Sequence, residues 1–132
     1  MLLTYTGGCC MIRLITCLKR RDDVSPEEFR RHWQDAAFDE LIGRIVALTG
    51  AERCAKNLTL SVAANSLLMQ ERGLAEPFDG IIEYWWHDAA NFEALYNSGE
   101  RKALMQEMQD YQVRFADLAA STSFFTESRE TC

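Results

Sequence analysis

The chain has 132 residues, 14 Lys+Arg against 20 Asp+Glu, and a formal net charge of −6. With 48% hydrophobic and 26% charged residues, it has the size and make-up of one globular domain, which excludes long disorder, collagen-like repeats and a disulfide-scaffold miniprotein. The acidic balance argues against nucleic-acid binding through a basic surface, and no apolar run reaches the ~20 residues that span a membrane.

Residues 1–10, MLLTYTGGCC, lack the positive n-region of a secretory signal. They read as a disordered extension, or as sequence upstream of a true start at Met11, with residues 11–132 as the single domain. Met11 to Leu18, MIRLITCL, is rich in Ile, Leu and Thr and reads as a strand that ends at a charged turn. Ser25-Pro26-Glu27-Glu28 is a capping box with proline at the first helical position. Phe29, Trp33, Ala37, Leu41, Ile45 and Leu48 then recur at helical spacing and predict one long amphipathic helix that stops at Gly50. Between Arg53 and Ala63, Leu58, Leu60 and Val62 alternate with Thr59 and Ser61 and predict a strand with one apolar face. Residues 65–77 read as polar and irregular, with a helical turn around Leu67 to Arg72.

After a turn at Phe78-Asp79-Gly80, residues 81–87 form the second strong strand signal. Ile81, Glu83 and Trp85 share one face, and Ile82, Tyr84 and Trp86 the other. A strand apolar on both sides must be covered on both sides. Asp88 reads as the cap of a short helix carrying Phe92, Leu95 and Tyr96. A longer helix follows with Leu104, Met108, Tyr111, Phe115 and Leu118 on one face, then a last strand over residues 121–127. The order is that of a split β-α-β, ferredoxin-like α+β domain with a four-stranded antiparallel sheet and helices on one face. The other sheet face is then apolar and open, and a second copy packed across a two-fold axis covers it most simply. A homodimer is therefore expected.

Five cysteines, an odd number with two adjacent and no C-x-x-C, point to reduced thiols and a cytoplasmic setting. With only His32 and His87 to join them, no zinc site is expected.

MIRLITCLKRR, SPEEFRRHW, FDGIIEYWW followed by HDAANFEAL, and SFFTE, taken in order, resemble the EthD-like family of the dimeric α/β-barrel superfamily over roughly residues 11–127. The resemblance implies a homodimer whose two sheets close into a barrel, with a small apolar cleft between sheet and helices in each subunit. After the His-Trp pair, that family often continues with a second His followed by Gly-Pro. Here Ala37, Phe38 and Asp39 stand at those positions, so chemistry that rests on the second His is not carried over.

His32, at the edge of the buried helical stripe, is a candidate general base, because imidazole titrates near pH ~6.5. Its bland alternative is a core-edge histidine with one nitrogen satisfied locally. Glu83 sits mid-strand on an apolar face, where a carboxylate is costly unless protonated or paired. It is a candidate acid or hydrogen-bond anchor, and a His32–Glu83 pair serves either a catalytic or a structural role. Phe29, Trp33, Tyr84 and Trp85 are the expected walls of a pocket for a planar or apolar ligand, against plain core and dimer packing. His87 is expected to be exposed, and Cys17 and Cys54 to act as small buried hydrophobes. No metal, haem or other cofactor is expected. The functional expectation is a cofactor-independent enzyme that cyclises, isomerises, decarboxylates or oxidises a small phenolic or carbonyl compound. The alternatives are a non-catalytic protein that binds a small apolar organic ligand for a partner, and a dimeric scaffold without a ligand.

Overall fold

β1 (Cys10–Arg20) is the spine of the sheet in the computed structural model, which describes residues 10–88 and 98–129. It pairs antiparallel with β3 (Gly80–Trp86) on one side and with β4 (Ala116–Arg129) on the other. β2 (Arg53–Leu58) pairs with the far edge of β3, giving the order β2-β3-β1-β4. This is the ferredoxin-like α+β arrangement expected from the sequence: β1 and β2 run parallel with β3 inserted between them.

The capping box forms as far as the Ser25 side chain, which accepts from the Glu28 amide at 3.1 Å and opens α1 (Pro26–Trp33). The expected single long helix is two helices. Asp35 accepts from the Ala37 amide at 2.9 Å and starts α2 (Ala36–Thr49). An N-cap side chain inside the run interrupts the helical phase. The buried set is consequently Phe29 and Trp33, then Phe38, Ile42 and Ile45, rather than a stripe through Ala37 and Leu41. Gly50 ends α2 with φ of 71°, and its amide donates to the Val46 carbonyl.

Three further elements differ from expectation. β2 stops at Leu58, and Leu60 and Val62 are exposed beyond it. The expected turn within 65–77 is a full helix, α3 (Ala63–Arg72). The penultimate element, α4 (Gly99–Gln112), ends before Phe115, and β4 begins at Ala116, so Leu118 is a strand residue. Residues 1–9 and the short helix expected at Phe92, Leu95 and Tyr96 lie outside the described residues. No helix among the described residues is long and apolar enough to cross a membrane.

The helices cover one sheet face. Ile82, Tyr84 and Trp86 point into the core with Ile12, Leu18, Phe38 and Phe115. Phe38 and Phe115 are fully buried, and burial of such a side chain contributes about 1.5–3 kcal/mol. Gly80 is needed for closeness. A Cβ there would stand 2.5 Å from Trp33 Cη2, so only glycine lets β3 reach the α1 indole. The opposite sheet face has no helix over it among the described residues and carries Ile15, Ile81, Trp85 and Phe124 together with Arg13, Arg53 and Glu83.

Candidate functional site

A cleft of about 250 Å³ lies between the helix-covered face of the sheet and α4. Leu14, Thr16, Ile82 and Tyr84 line it from the sheet, and their register places all four on the face that β1 and β3 turn toward the helices. Met105, Met108, Gln109 and Gln112 line it from α4 at i, i+3, i+4 and i+7, one side of a helix. Ser123 of β4 lies at the rim, its hydroxyl 2.8 Å from that of Thr16.

Two of the polar side chains in the lining are almost wholly buried. Tyr84 is 3% exposed and Gln112 is 8% exposed. Among the described residues, neither the phenol nor the carboxamide has a hydrogen-bond partner. Their polar atoms are not sealed off but open to the cleft, and the two groups share that one cavity. Burial pushes the Tyr84 phenol far above the ordinary tyrosine range, with a smaller push from Cys54. The group is therefore a neutral O–H donor at physiological pH. Tyr84 is also the only titratable side chain in the cleft lining among the described residues.

The structure does not bring His32 and Glu83 together. His32 lies on α1 with its ring flat against Phe115 (5.2 Å between centroids, 9° between planes) and edge-on to Tyr111. Tyr111 donates its hydroxyl proton to the His32 carbonyl at 2.7 Å. Burial, and then the negative charge of Asp35, push the Tyr111 phenol up to about 12. Glu83 points to the uncovered sheet face, where its carboxylate meets Arg13 at 3.4 Å and Asn57 at 3.5 Å. Side-chain alternation along β3 sets the sheet between the two residues. One cleft using both is thus corrected to two separate environments.

The expected pocket walls divide in the same way. Tyr84 lines the cleft. Phe29 and Trp33 stack on each other at 5.6 Å inside the core and do not line it. Trp85 is buried on the uncovered face, where the guanidinium groups of Arg13 and Arg53 each lie 4.7 Å from its ring. This cation–π packing hides the indole where no helix does. His87 is exposed as expected and pairs with Glu52 at 2.9 Å. Cys17 is buried as expected, whereas Cys54 is exposed because it sits on the edge strand.

Gln112 and the two methionines were not anticipated as pocket residues. The signal for them is present: 105, 108, 109 and 112 form a second helical stripe beside the apolar stripe through Leu104, Met108 and Tyr111. The glutamines in it make it look like a solvated face.

Residues 21–119 match the family model described as the EthD domain. No relative is found among curated proteins. Among solved structures, a hydroxynitrile lyase from Passiflora edulis superposes with a TM-score of 0.60 at 14% identity, over 92% of this chain and 96% of that one. An ethyl tert-butyl ether degradation (EthD) family protein from Bacillus halodurans gives 0.57 at 16% identity, over 89% and 98%. A dimeric ferredoxin-like protein of unknown function from Bacteroides fragilis gives 0.56 at 15% identity, over 89% and 96%. At such identities the likeness establishes the shared fold.

Proposed function

We propose that this chain, which belongs to the EthD domain family, acts as a homodimer that binds a small, uncharged, mostly apolar organic molecule in the cleft between its sheet and α4. The observation that carries this reading is that Tyr84 and Gln112, nearly buried as side chains, open their polar atoms to one cavity. A ligand carrying a hydroxyl or carbonyl oxygen satisfies both groups while its apolar body lies against Leu14, Ile82, Met105 and Met108. The lining among the described residues has no charged side chain, so a carboxylate or phosphate would enter without a counter-charge. A cleft of about 250 Å³ suits a molecule of one ring or a short chain. The homodimer is supported by the partly apolar, uncovered sheet face and by the dimeric ferredoxin-like protein of similar fold.

A catalytic reading rests on the same two groups. A neutral phenol and a carboxamide that line one cleft are donors for a ligand oxygen bound between them and stabilise negative charge developing on it, as enolisation or addition to a carbonyl requires. The similarity to a hydroxynitrile lyase supports chemistry of that general kind on this fold. Among the described residues the cleft offers no general base, which favours binding over turnover. In this reading His32 and Glu83 are structural, one packing α1 onto Phe115 and the other balancing Arg13.

A thermal-shift comparison tests the reading. Uncharged phenols and ketones of one ring should raise the melting temperature, while their carboxylated analogues should not. Tyr84→Phe should reduce the shift. Equal responses to charged and uncharged compounds, or none to either, would refute it.

A further inference from the structure

α3 is inside out. None of its side chains is buried, and its apolar residues Leu67 and Leu68 are half exposed. From α3, Ala63, Asn65, Ser66 and Met69 line an open polar groove of about 530 Å³ against Lys19, Glu76 and Asp79. Leu67 and Leu68 do not line it. Leu60, Val62 and Leu74, on the segments that flank the helix, are exposed as well. A helix that turns Ala63, Asn65, Ser66 and Met69 toward its own domain and its two leucines away from it is built to meet something else.

The rest of the molecule indicates what that is. The uncovered sheet face is roughly 19 Å across its four strands and roughly 23 Å along the seven residues of β1 that pair with β3, about 440 Å² in plan. A stable interface buries about 800 Å² of accessible surface per partner, and a helix carried at the edge of the sheet enlarges the surface available. The arm that holds α3 leaves the sheet between β2 and β3, at one edge. The other exposed large apolar side chains among the described residues are Val113 and, on β4 at the opposite edge, Phe124 and Phe125. A two-fold axis along the strands sets the β2 edge of each sheet over the β4 edge of its partner, so each patch meets the other twice. The arm starts at the right level. Leu58 pairs with Gly80 and Gly80 with Leu18, which sets the root of the arm at the level of Leu18, and the Lys19 ammonium holds the Pro77 carbonyl at 3.1 Å. Phe124 pairs with Ile15, three residues from Leu18 and about 10 Å along the strand, and a ten-residue helix spans about 15 Å.

We propose that α3 is a dimer clasp: its Leu67–Leu68 face packs on Phe124 and the neighbouring part of β4 in a second copy of this chain. The clasp rests on the homodimer reading and adds to it a named contact between two different patches. It extends the contact beyond the sheet face, and it covers the leucines of one protomer and Phe124 of the other together.

Sedimentation of the full chain and of the Leu67→Glu, Leu68→Glu double variant tests this. Both positions are exposed in the protomer, so the variant should keep the circular dichroism spectrum of the parent. The dimer dissociation constant should rise by about 100-fold or more, since four buried leucines per dimer become charged. A photo-crosslinking residue at position 67, in a mixture of isotopically light and heavy chains, should join the other copy within residues 116–129. A dimeric parent whose dissociation constant is unchanged by the double substitution would overturn the clasp and leave the homodimer standing. A crosslink confined to its own chain would do the same. A monomeric parent at micromolar concentration would overturn both.

Discussion

Glu83 and Tyr84 are adjacent in the chain and open onto different compartments. The Tyr84 phenol lines the cleft under α4, and the Glu83 carboxylate lies on the other side of the sheet against Arg13. A strand turns consecutive side chains to opposite faces, so the chemistry of one is insulated from that of the other. Tyr84 therefore shares its compartment with Gln112, 28 residues away in the chain, and not with its neighbour.

The first prediction concerns that pair. Gln112→Leu replaces a carboxamide that opens to the cleft with an apolar side chain of similar size. It should leave the unliganded protein as stable or raise its stability by up to about 1 kcal/mol, while weakening binding of an uncharged phenol. Urea unfolding and ligand titration of the same variant measure both. A loss of stability with unchanged affinity would show that the side chain serves the core instead.

His32→Ala and Glu83→Gln should separate structure from binding. Loss of the imidazole stacked on Phe115 should cost about 1 kcal/mol of stability. Neither substitution should alter affinity for a ligand in the cleft by more than about twofold, because neither side chain lines it. Abolished binding in His32→Ala with intact folding would contradict the placement of the site.

Gly80→Ala should be among the most damaging single-atom changes in the chain. The added methyl would sit 2.5 Å from the Trp33 ring, which is held between Phe29 and Phe38. Overpacking of this kind costs about 1–3 kcal/mol, readable as a lowered urea midpoint. An unchanged midpoint would mean that the α1 contact with β3 is loose.

The two buried phenols predict a loss of stability in alkali. An unfolded tyrosine ionises near 10, while Tyr111 in the fold is pushed up to about 12 and Tyr84 shifts in the same direction. Below pH 10 both states hold the proton and the contribution is complete. As pH rises from 10 through 12 the unfolded chain loses protons that the folded chain keeps, so stability falls and the contribution is lost. Urea midpoints measured across this window should drop, and Tyr111→Phe should flatten the drop. A flat parent profile would contradict the burial of both rings.

Much of the fold was legible because its signals are local. The Ser25 cap, the alternation from Ile81 to Trp86 and the αL glycine at position 50 each depend on a few neighbouring residues. The break between α1 and α2 was missed because the spacing from Phe29 to Leu48 continues smoothly on paper. Asp35 overrides it with one hydrogen bond to a backbone amide. The site was less legible for a different reason. Residue type drew attention to His32 and Glu83, whose chemistry is versatile, but sheet geometry puts them on opposite sides. Gln112 carries no charge and looks like a surface residue in sequence; only the packing of α4 over Tyr84 makes it a buried donor.

Methionine methyl NMR of the full chain tests the central claim most directly. Met105 and Met108 line the cleft, while Met69 belongs to the polar groove beside α3. Titration with an uncharged one-ring phenol should shift the Met105 and Met108 methyl signals and leave that of Met69 in place, and Tyr84→Phe should weaken the response. Silent Met105 and Met108 signals, or a shift centred on Met69, would contradict a ligand cleft between the sheet and α4.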